Sequence, residues 1–453
     1  MGACSGKQGT IIEKSSANNG PDVSADKKNV GILTAKSDKS YQEELGIKQP
    51  GMIISDLKGQ GMYRVIKLLG AGAEGEAYLA EDQDGKNWAL KFIKLPLPQR
   101  MVKAIFREIQ IQSELGEGHN NIIRAEEVVL TSQYLGLVIE WAPGGSLTDL
   151  ITNKYIECHG VGLLMPEDEV RYLFRQVVNA VDYMHRNHVV HRDLKLDNIL
   201  LSPPYPPFQR NPPYIKLCDF GFARTWDQIS QIKTVVGTPD YMSPQIIEAD
   251  HKQALLYDGT KADIWAMGVL LCVMLIGKFP FEGDSVSTIA IDDPLKKTWL
   301  QQNKRAWYEN SLMGGQLQYL SPEVKDLLDK MFELDESKRI NIEGLRTHPW
   351  FMKTMRPHLE EAISAMETEQ IENERKVATG AFCSKDRDDA VKMLIEMASS
   401  EEFRAQSSKS VSKDTQLVIL SRIKLRTVLP AYPKFGKLSL HPMIKPREHM
   451  LNL

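Results

Sequence analysis

Short strand-like runs of apolar residues dominate the chain between residues 63 and 142. Three come first, YRVIKLLG, EAYLAED and WALKFIKL, and Asp84-Gly85 supplies a hairpin turn before the third. A segment with apolar residues at helical spacing, MVKAIFREIQIQSEL at 101–115, follows them, and two further runs, IIRAEEVVLT and YLGLVIEWA, come after it. The pattern predicts a small antiparallel sheet with one helix.

Helical periodicity prevails in the second half of the chain. From Pro166 to Leu345 the clearest examples are PEDEVRYLFRQVVNAVDYMH and SPEVKDLLDKMFEL. A proline-rich insert at 202–214 interrupts this region and is predicted to be an extended surface loop, with a ligand for a proline-binding module as the alternative. After Phe351 the pattern predicts a separate tail with a helix at 388–399. The residues that would share one face of that helix are Val391, Leu394, Ile395 and Ala398.

Composition and charge narrow the class of protein. The chain has 453 residues, 42% of them hydrophobic, which is enough for two or three domains with cores. The net charge of −3 provides no basic field, so no nucleic-acid partner is expected. Five scattered cysteines, an odd number without metal-site spacing, favour a reducing compartment.

Three further features bear on where the protein resides. No apolar run is expected to approach the roughly 18 residues of a membrane helix, and the start of the chain does not resemble a secretory signal. Residues 1–60 are rich in Lys, Ser, Gly, Asn and Asp and are predicted to be mostly disordered. We therefore expect a soluble intracellular protein.

A glycine-rich stretch, Gly70-Ala71-Gly72-Ala73-Glu74-Gly75, joins the first two predicted strands. Glycines at this spacing let backbone amides approach phosphate groups closely. A dinucleotide-binding fingerprint would lie between a parallel strand and a helix, whereas this stretch lies within a predicted hairpin. On this feature alone, a phosphate-binding loop and a merely flexible hairpin both remain open.

Two more features place charged residues at predicted strands and helices. Lys91 lies on the third strand, and Glu108 on the following helix would be its counter-ion if the lysine is buried; solvent-exposed positions are the alternative for both. The triplet Asp219-Phe220-Gly221 follows the strand-like IKLC, where a simple turn is the alternative. Asp219 together with Asn198 would form a pair of hard oxygen ligands suited to magnesium.

The segment VVHRDLKLDNILL, at 189–201, places a polar cluster between two short apolar runs. The runs are predicted to be buried strands, so the loop between them would be pinned at both ends. It holds a carboxylate, two cations and an amide at fixed spacing, Asp193, Arg192, Lys195 and Asn198, whereas a plain turn would use Gly, Pro, Asn or Asp and not Lys and Arg. This combination favours a reaction site.

Together these motifs resemble the eukaryotic protein kinase family. Their order is the glycine-rich loop, A-L-K, the helix glutamate, H-R-D-L-K-x-x-N, D-F-G, G-T-P-x-Y-x-x-P, D-x-W-x-x-G and a late arginine, Arg339, across residues 63–351. The resemblance implies an α+β, bilobal protein-kinase fold with a small antiparallel-sheet N-lobe at 63–140 and a larger, mostly helical C-lobe at 143–351. Residues 352–453 would then form a C-terminal regulatory tail.

The resemblance implies an enzyme that uses ATP and Mg²⁺ to phosphorylate protein substrates. Asp193 would accept the substrate hydroxyl proton, and Lys195 would neutralise charge on the γ-phosphate. Lys91 would hold the α- and β-phosphates and pair with Glu108. Lys195 and Thr238, in GTPDY, are typical of serine/threonine kinases rather than tyrosine kinases. The expected magnesium ligands are Asn198 and Asp219.

The family also implies a lining for the adenine pocket, although each of these residues would equally suit a plain core. Ala77 departs from the family, which usually has valine there, and Gln245 replaces a glutamate that normally pairs with the late arginine. The implied pocket residues are Leu69, Ala77, Ala89, Ile139, Glu140, Ala142 and Leu200, and the implied phosphate loop is Gly70, Ala71, Gly72, Ala73, Glu74 and Gly75.

Regulation is predicted in the segment after D-F-G. Thr234 stands three residues before Gly237, where many kinases are phosphorylated, and Ser230 is a second candidate. A phosphate group there carries about −2 charge and would be received by Arg192 and Arg224. An upstream kinase or autophosphorylation would supply it, and a solvated loop threonine is the alternative.

Three stretches sharpen the resemblance: EEVVLTSQYLGLVIEWAPGGSL, LLYDGTKADIWAMGVLLCVMLIGKFPFEGD and DESKRINIEGLRTHPWF. They are similar to plant and algal sucrose-non-fermenting-related kinases of the second subfamily, the osmotic-stress and nutrient-stress group. In that group a helix after the kinase domain packs on the small-lobe helix, a role open to 388–399; a free amphipathic helix for another partner is the alternative. The group's acidic tail is missing, because 415–453 has seven Lys or Arg and one acidic residue.

The first residues, MGACSGK, are candidates for lipid attachment. Gly2 suits myristoylation and Cys4 suits palmitoylation, although Gly6 replaces the usual Ser or Thr. One myristoyl chain binds membranes weakly, so Cys4 would matter for peripheral membrane association. The expected location is the cytoplasm, with the membrane or the nucleus as alternatives.

Two other classes of function compete with an active protein kinase. A pseudokinase scaffold would bind partners without transferring phosphate, but every catalytic position carries the residue that the family uses. A small-molecule phosphotransferase of the same fold would not need GTPDYMSP, which shapes a peptide site. We therefore expect an active serine/threonine protein kinase.

Overall fold

The computed structural model of the chain describes residues 50–55, 58, 60–72, 75–159, 161–202, 212–225, 236–252, 256–281, 293–304, 306–309, 313–378, 385–400 and 417–425. Several predicted sites lie outside these residues, together with most of the proline-rich insert. They are Gly2, Cys4, Ala73, Glu74, Ser230 and Thr234.

The small lobe is a curved antiparallel sheet with one long helix, as the pattern predicts. Five strands follow the order β2-β3-β4-β6-β5, and a further strand lies at each outer edge. The strands are β1 (Ile53–Ser55), β2 (Gly61–Gly72), β3 (Gly75–Asp82), β4 (Asn87–Lys94), β5 (Ala125–Thr131) and β6 (Tyr134–Glu140), and the helix is α1 (Gln99–Gly118).

Two apolar layers stabilise this sheet, because alternate residues along each strand face opposite sides. On one face Phe92 meets Tyr78 and Tyr134 edge-on, with ring centroids 6.3 and 5.8 Å apart. On the other face Ile105 and Ile109 of α1 pack against the sheet. Helix α1 extends beyond the predicted 101–115 at both ends, which places Glu108 near its middle.

The large lobe is mostly helical, with short strand pairs beside the small lobe. The pairs β7–β10 and β8–β9 are antiparallel. Its helices are α2 (Leu147–Glu157), α3 (Glu167–Arg186), α4 (Pro244–Lys252), α5 (Gly259–Ile276), α6 (Pro294–Lys304), α7 (Pro322–Met331), α8 (Ile342–Arg346) and α9 (Pro349–Met352), and its strands are β7 (Val189–Val190), β8 (Ile199–Ser202), β9 (Tyr214–Leu217) and β10 (Arg224–Thr225).

Helix α5 corrects the expectation about long apolar runs. It has 18 residues and a mean hydropathy of 1.6, so it is long and apolar enough to cross a membrane. However, 89% of this span is buried inside the large lobe, and Trp265 at its centre stacks on Phe281. The core helix of a folded domain meets the same criteria of length and composition as a membrane span.

The segment after Phe351 is attached to both lobes rather than separate from them. Helix α10 (Pro357–Ala378) contacts α3 and α1, helix α11 (Lys385–Ser399) lies on α1, and strand β11 (Leu417–Lys424) pairs with β5. Helix α11 spans the predicted residues 388–399 and packs on the small-lobe helix. Its buried residues in that interface are Val391, Leu394, Ile395 and Ala398.

Two segments outside the predicted small lobe contribute strands to its sheet. Within 1–60, predicted to be mostly disordered, Ile53–Ser55 form β1 and Ile54 is fully buried. The small lobe, predicted at 63–140, also includes β1 and β11. A strand this short, or one so distant in sequence from its neighbour, has no local pattern that identifies its pairing.

Candidate active site

A buried ion pair links the sheet of the small lobe to its helix. Lys91 lies on β4 opposite Ala77 and Leu137, and its Nζ is 2.7 Å from Oε1 of Glu108 on α1. The two side chains are 20% and 9% exposed, so the pair is largely shielded from water. Of the two predicted alternatives, a buried pair and solvent-exposed positions, the structure therefore shows the largely buried pair.

The glycine-rich stretch is a hairpin, as predicted, and its glycines are not equivalent. Gly75 has a φ of 143°, and a Cβ there would lie 2.1 Å from the carbonyl oxygen of Phe92. Only glycine allows this close approach between the hairpin and β4. A Cβ at Gly70 or Gly72 would meet nothing within 4 Å, so the backbone there borders open space that a phosphate group could enter.

The loop His191–Asn198 is held between β7 and β8, which pins it at both ends as predicted. The carboxylate of Asp193 is the centre of its polar contacts. Lys195 Nζ lies 2.7 Å from Oδ2, Thr238 Oγ1 donates to Oδ1 at 2.9 Å, and Asn198 Nδ2 donates to Oδ2 at 3.1 Å. Asp193 is almost fully buried, so these contacts fix its orientation.

Asp263 on α5 positions this loop, a role that the sequence analysis misses. Its carboxylate accepts hydrogen bonds from the backbone N–H groups of His191 at 3.0 Å and Arg192 at 2.9 Å, and from His185 Nε2 at 2.8 Å. Burial alone would raise the pKa of Asp263, but the His185 contact and the other donors lower it overall. The motif D-x-W-x-x-G contains this residue and is the signal that could have found it.

Asn198 and Asp219 come together because β8 and β9 form one hairpin. Asn198 immediately precedes β8, Asp219 follows β9, and the N–H of Cys218 donates to the Asn198 carbonyl at 2.9 Å. Phe220 is fully buried, and its ring centroid lies 5.4 Å from that of His191. Burial raises the pKa of the Cys218 thiol to about 12, which fits packing rather than a reactive thiol.

The predicted adenine-pocket residues lie on the strands that face the large lobe and on the hinge. Ala89 pairs with Ile139, Ala77 pairs with Gly70, and Leu200 forms a bridge with Ser146 just after the hinge. Glu140 and Ala142 lie where the small lobe joins the large lobe, and Glu140 is half-buried whereas Ala142 is buried. The Glu140 carboxylate lies 2.9 Å from Lys216 Nζ, and Leu69 is 42% exposed.

Gln245 takes the place of the family's glutamate and still contacts the late arginine. Arg339 Nη2 donates to Gln245 Oε1 at 2.8 Å, and Gln245 Nε2 donates to the carbonyl of Leu334 at 2.6 Å. The second bond requires an N–H donor, which a carboxylate lacks. Burial lowers the pKa of Arg339 to about 10, and its guanidinium lies 5.0 Å from the ring centroid of Trp265.

Comparison with known proteins agrees with this geometry. The protein kinase domain family matches residues 63–351. The serine/threonine-protein kinase SAPK7 of Oryza sativa subsp. japonica is 36% identical over 309 residues, which cover 67% of this chain and 76% of the relative. The serine/threonine-protein kinase SRK2C of Arabidopsis thaliana is 36% identical over 296 residues, which cover 65% of this chain and 76% of the relative.

The matched residues, 63–351, have the bounds predicted for the kinase domain and contain the predicted site residues of both lobes. The relatives are plant kinases of the second sucrose-non-fermenting-related subfamily, so the predicted resemblance is confirmed. The chain belongs to the protein kinase family and is a serine/threonine-protein kinase.

Proposed function

We propose that this kinase transfers the γ-phosphoryl group of ATP to serine and threonine hydroxyls of proteins with Asp193 as the catalytic base. One observation carries the proposal: the Asp193 carboxylate contacts both the Thr238 hydroxyl, at 2.9 Å, and Lys195 Nζ, at 2.7 Å. A substrate hydroxyl taking the position beside Thr238 would meet the carboxylate as acceptor and the lysine as a nearby cation.

The phosphates of ATP would lie between the glycine hairpin and the catalytic loop. Gly70 and Gly72 border open space, and Lys91 is oriented by its ion pair with Glu108. Phosphoryl transfer spreads negative charge over the non-bridging oxygens, so cations held in place before the reaction lower the barrier. Lys91 and Lys195 would supply these charges from the two lobes.

Asn198 and Asp219 would hold the Mg²⁺. The donor set fits, because an amide oxygen and a carboxylate are hard oxygen ligands, and Asn198 directs its Nδ2 donor to Asp193. When bound, Mg²⁺ neutralises charge on the phosphate oxygens. The hydrogen bond between Cys218 N–H and the Asn198 carbonyl keeps the two ligand-bearing segments together.

The test is phosphate transfer from radiolabelled ATP to a generic protein substrate. Asp193→Asn should lower kcat by about 100-fold or more, because a positioned base contributes on this order. Asp84→Asn, in the exposed hairpin turn, is the matched control and should retain full activity. If Asp193→Asn transferred phosphate at the parent rate while remaining folded, the assignment of the base would be wrong.

Activation by phosphorylation on Thr234, with Ser230 as a second site, belongs to the same proposal. Its support is that two arginines lie near each other after D-F-G and in the catalytic loop: Arg192, whose Nε donates to the Phe222 carbonyl at 2.8 Å, and Arg224, which is exposed on β10 opposite Val190. An upstream kinase or the chain itself would add the phosphate. Activity unchanged in both Thr234→Ala and Ser230→Ala would contradict this.

Substrate choice and signalling role extend the proposal. Asp197 is exposed within the catalytic loop and would favour a basic residue upstream of the phosphorylated hydroxyl, which a peptide array tests. The resemblance of the sequence to the osmotic-stress and nutrient-stress group of kinases supports a role in stress signalling. Comparing phosphoproteomes of cells with the parent protein and with Lys91→Met would identify substrates, and no difference under either stress would contradict the role.

The location is proposed as cytoplasmic, with a membrane-bound fraction attached through acylated Gly2 and Cys4. The support is the sequence MGACSGK, and two lipid signals hold a protein at a membrane more firmly than one. Fatty-acid labelling and cell fractionation of Gly2→Ala against the parent test this. Equal membrane fractions and absent label would contradict it, and a nuclear fraction would be measured in the same experiment.

A further inference from the structure

Strand β11 completes the outer edge of the small-lobe sheet from a distant part of the chain. It pairs antiparallel with β5, from Ile419 opposite Thr131 to Lys424 opposite Glu127. It also pairs in parallel with β1, where Ile54 lies opposite Leu417. The residues on both sides of β11, Ile53–Ser55 and Ala125–Thr131, form what we call the strand groove.

A bulge lets this one strand fill two apolar layers. Between Ile419 and Ser421 the strand advances two residues while β5 advances one. One extra residue reverses which side chains face each side of a sheet. Accordingly, Leu417 and Ile419 join the layer that contains Tyr63, whereas Leu425 is buried in the layer beneath α1.

The strand groove has a charged residue that β11 neutralises. Glu127 is fully buried, and its Oε1 accepts a hydrogen bond from the Tyr63 hydroxyl at 2.6 Å. Lys424 Nζ lies 3.0 Å from the other carboxylate oxygen. Within the described part of the chain, Lys424 is the cation at ion-pair distance from Glu127. A buried carboxylate without a counter-charge is unfavourable, and Lys424, which is 44% exposed and also 3.3 Å from Glu126 Oε1, supplies that counter-charge from the edge of the groove.

Contacts continue from β11 to the helix that carries Glu108. Arg387, at the start of α11, donates from Nη1 to the Leu425 carbonyl at 3.4 Å, and its Nη2 lies 3.9 Å from Glu114 of α1. Ile395 of α11 is fully buried against α1. The C-terminal end of β11, helix α11 and helix α1 therefore form one packed unit.

We propose that the strand groove is a docking site for residues 417–425 of this chain, and that its occupation holds α1 where Glu108 pairs with Lys91. The segment acts as a latch that activates the kinase when docked. A strand joined to a sheet edge by backbone hydrogen bonds can leave and return, which makes the contact suitable for control. This inference rests on the proposed role of the Lys91–Glu108 pair.

The experiment compares three chains: the full chain, one ending at residue 425 and one ending at residue 416. Phosphate transfer to a generic protein and hydrogen exchange of α1 amides are measured for each. The chain ending at 425 should match the full chain. The chain ending at 416 should show kcat lower by about tenfold and faster exchange in α1, because an undocked groove shifts the population away from the paired state.

A synthetic peptide of residues 417–425, added in trans, should restore most of the lost activity, and the same peptide with Lys424→Glu should not. Loss of activity already in the chain ending at 425, equal activity in all three chains, or peptide binding without recovery would each overturn the latch. Activity of the full chain, abolished in Asp193→Asn, tests the proposed catalysis separately from these comparisons.

Point substitutions in the full chain keep the proposal testable if the shortened chain does not fold. Lys424→Glu and Lys424→Met should both lower kcat and speed α1 exchange. Lys338→Glu, at a 73% exposed lysine of the large lobe, should change neither by more than about twofold. Glu127→Gln should reduce the effect of Lys424→Met, because the unpaired buried charge is then absent. Equal effects of Lys424→Glu and Lys338→Glu would contradict the proposed pairing.

Discussion

The catalytic loop and the C-terminal tail differ in how they are held in place. In the loop, Asp193 contacts residues two and five positions along the chain, Lys195 and Asn198. In the tail, Gln370 and Asn373 of α10 contact Asn120 across 250 and 253 residues, at 2.9 and 2.6 Å. Contacts at short, fixed spacing leave a motif in the sequence, whereas contacts at long range do not.

The catalytic loop nevertheless also depends on a residue remote in sequence, Asp263 of α5. Removing that residue is the change with the largest expected effect. Asp263→Ala should destabilise the protein by about 3–5 kcal/mol, because buried donors from His185, His191 and Arg192 lose their acceptor. It should also lower kcat by about 100-fold through misplacement of Asp193. Thermal unfolding and phosphate transfer are the measurements.

The control for Asp263→Ala is Asp258→Ala on the same helix. Asp258 caps the first turn of α5 and does not contact the catalytic loop, so its loss should cost about 1 kcal/mol with kcat unchanged. If Asp258→Ala lowered kcat as much as Asp263→Ala, the loss would reflect general damage to α5 rather than the contacts of Asp263 with the catalytic loop.

The tail is held mainly by apolar burial, which the second prediction tests. Ile395→Ala should cost about 2–5 kcal/mol of local stability at the α11–α1 interface, because the side chain is fully buried there. Hydrogen exchange of α11 and α1 amides measures it. Met393→Ala, two residues away and 67% exposed, is the control and should leave exchange unchanged. Equal exchange in both variants would show that α11 does not depend on this packing.

A third prediction concerns the contact between Gln245 and Arg339, which belongs neither to the catalytic loop nor to the tail. Gln245→Ala removes both of its hydrogen bonds and should lower the free energy of unfolding by about 1–2 kcal/mol. Gln245→Glu keeps the Arg339 contact with added charge but loses the bond to Leu334, so it should fall between Ala and the parent. Chemical denaturation ranks the three proteins by stability. If Gln245→Ala were as stable as the parent, the bridge would not contribute to stability.

The smallest expected effect is a pH dependence of stability, which arises from His119 in the loop after α1 that the tail contacts. Burial, and then the positive charges of Arg186, Lys216 and Arg346, lower the pKa of His119 to about 3. The unfolded chain binds this proton at a higher pH, so stability is lost as pH falls below the ordinary histidine range. The loss between about pH 7 and about pH 5.5 should be about 1 kcal/mol.

This pH effect is measured as the shift in unfolding midpoint between the two conditions. His119→Leu lacks the titrating group and should show a smaller shift, although it also loses the acceptor for the Asn121 N–H. An identical shift in the parent and in His119→Leu would mean that other groups account for the acid sensitivity.

From the sequence by itself, the motifs shared with the protein kinase family predicted the kinase fold, the bounds 63–351 and the residues that meet at Asp193, because each motif is a short run of residues that can be read along the chain. Only the tertiary structure decided that Asp263 supports the catalytic loop, that Gln245 serves where the family uses glutamate, and that the tail completes the small-lobe sheet. Each of those contacts joins segments remote in sequence, where no periodicity or spacing records which partners the folded chain brings together.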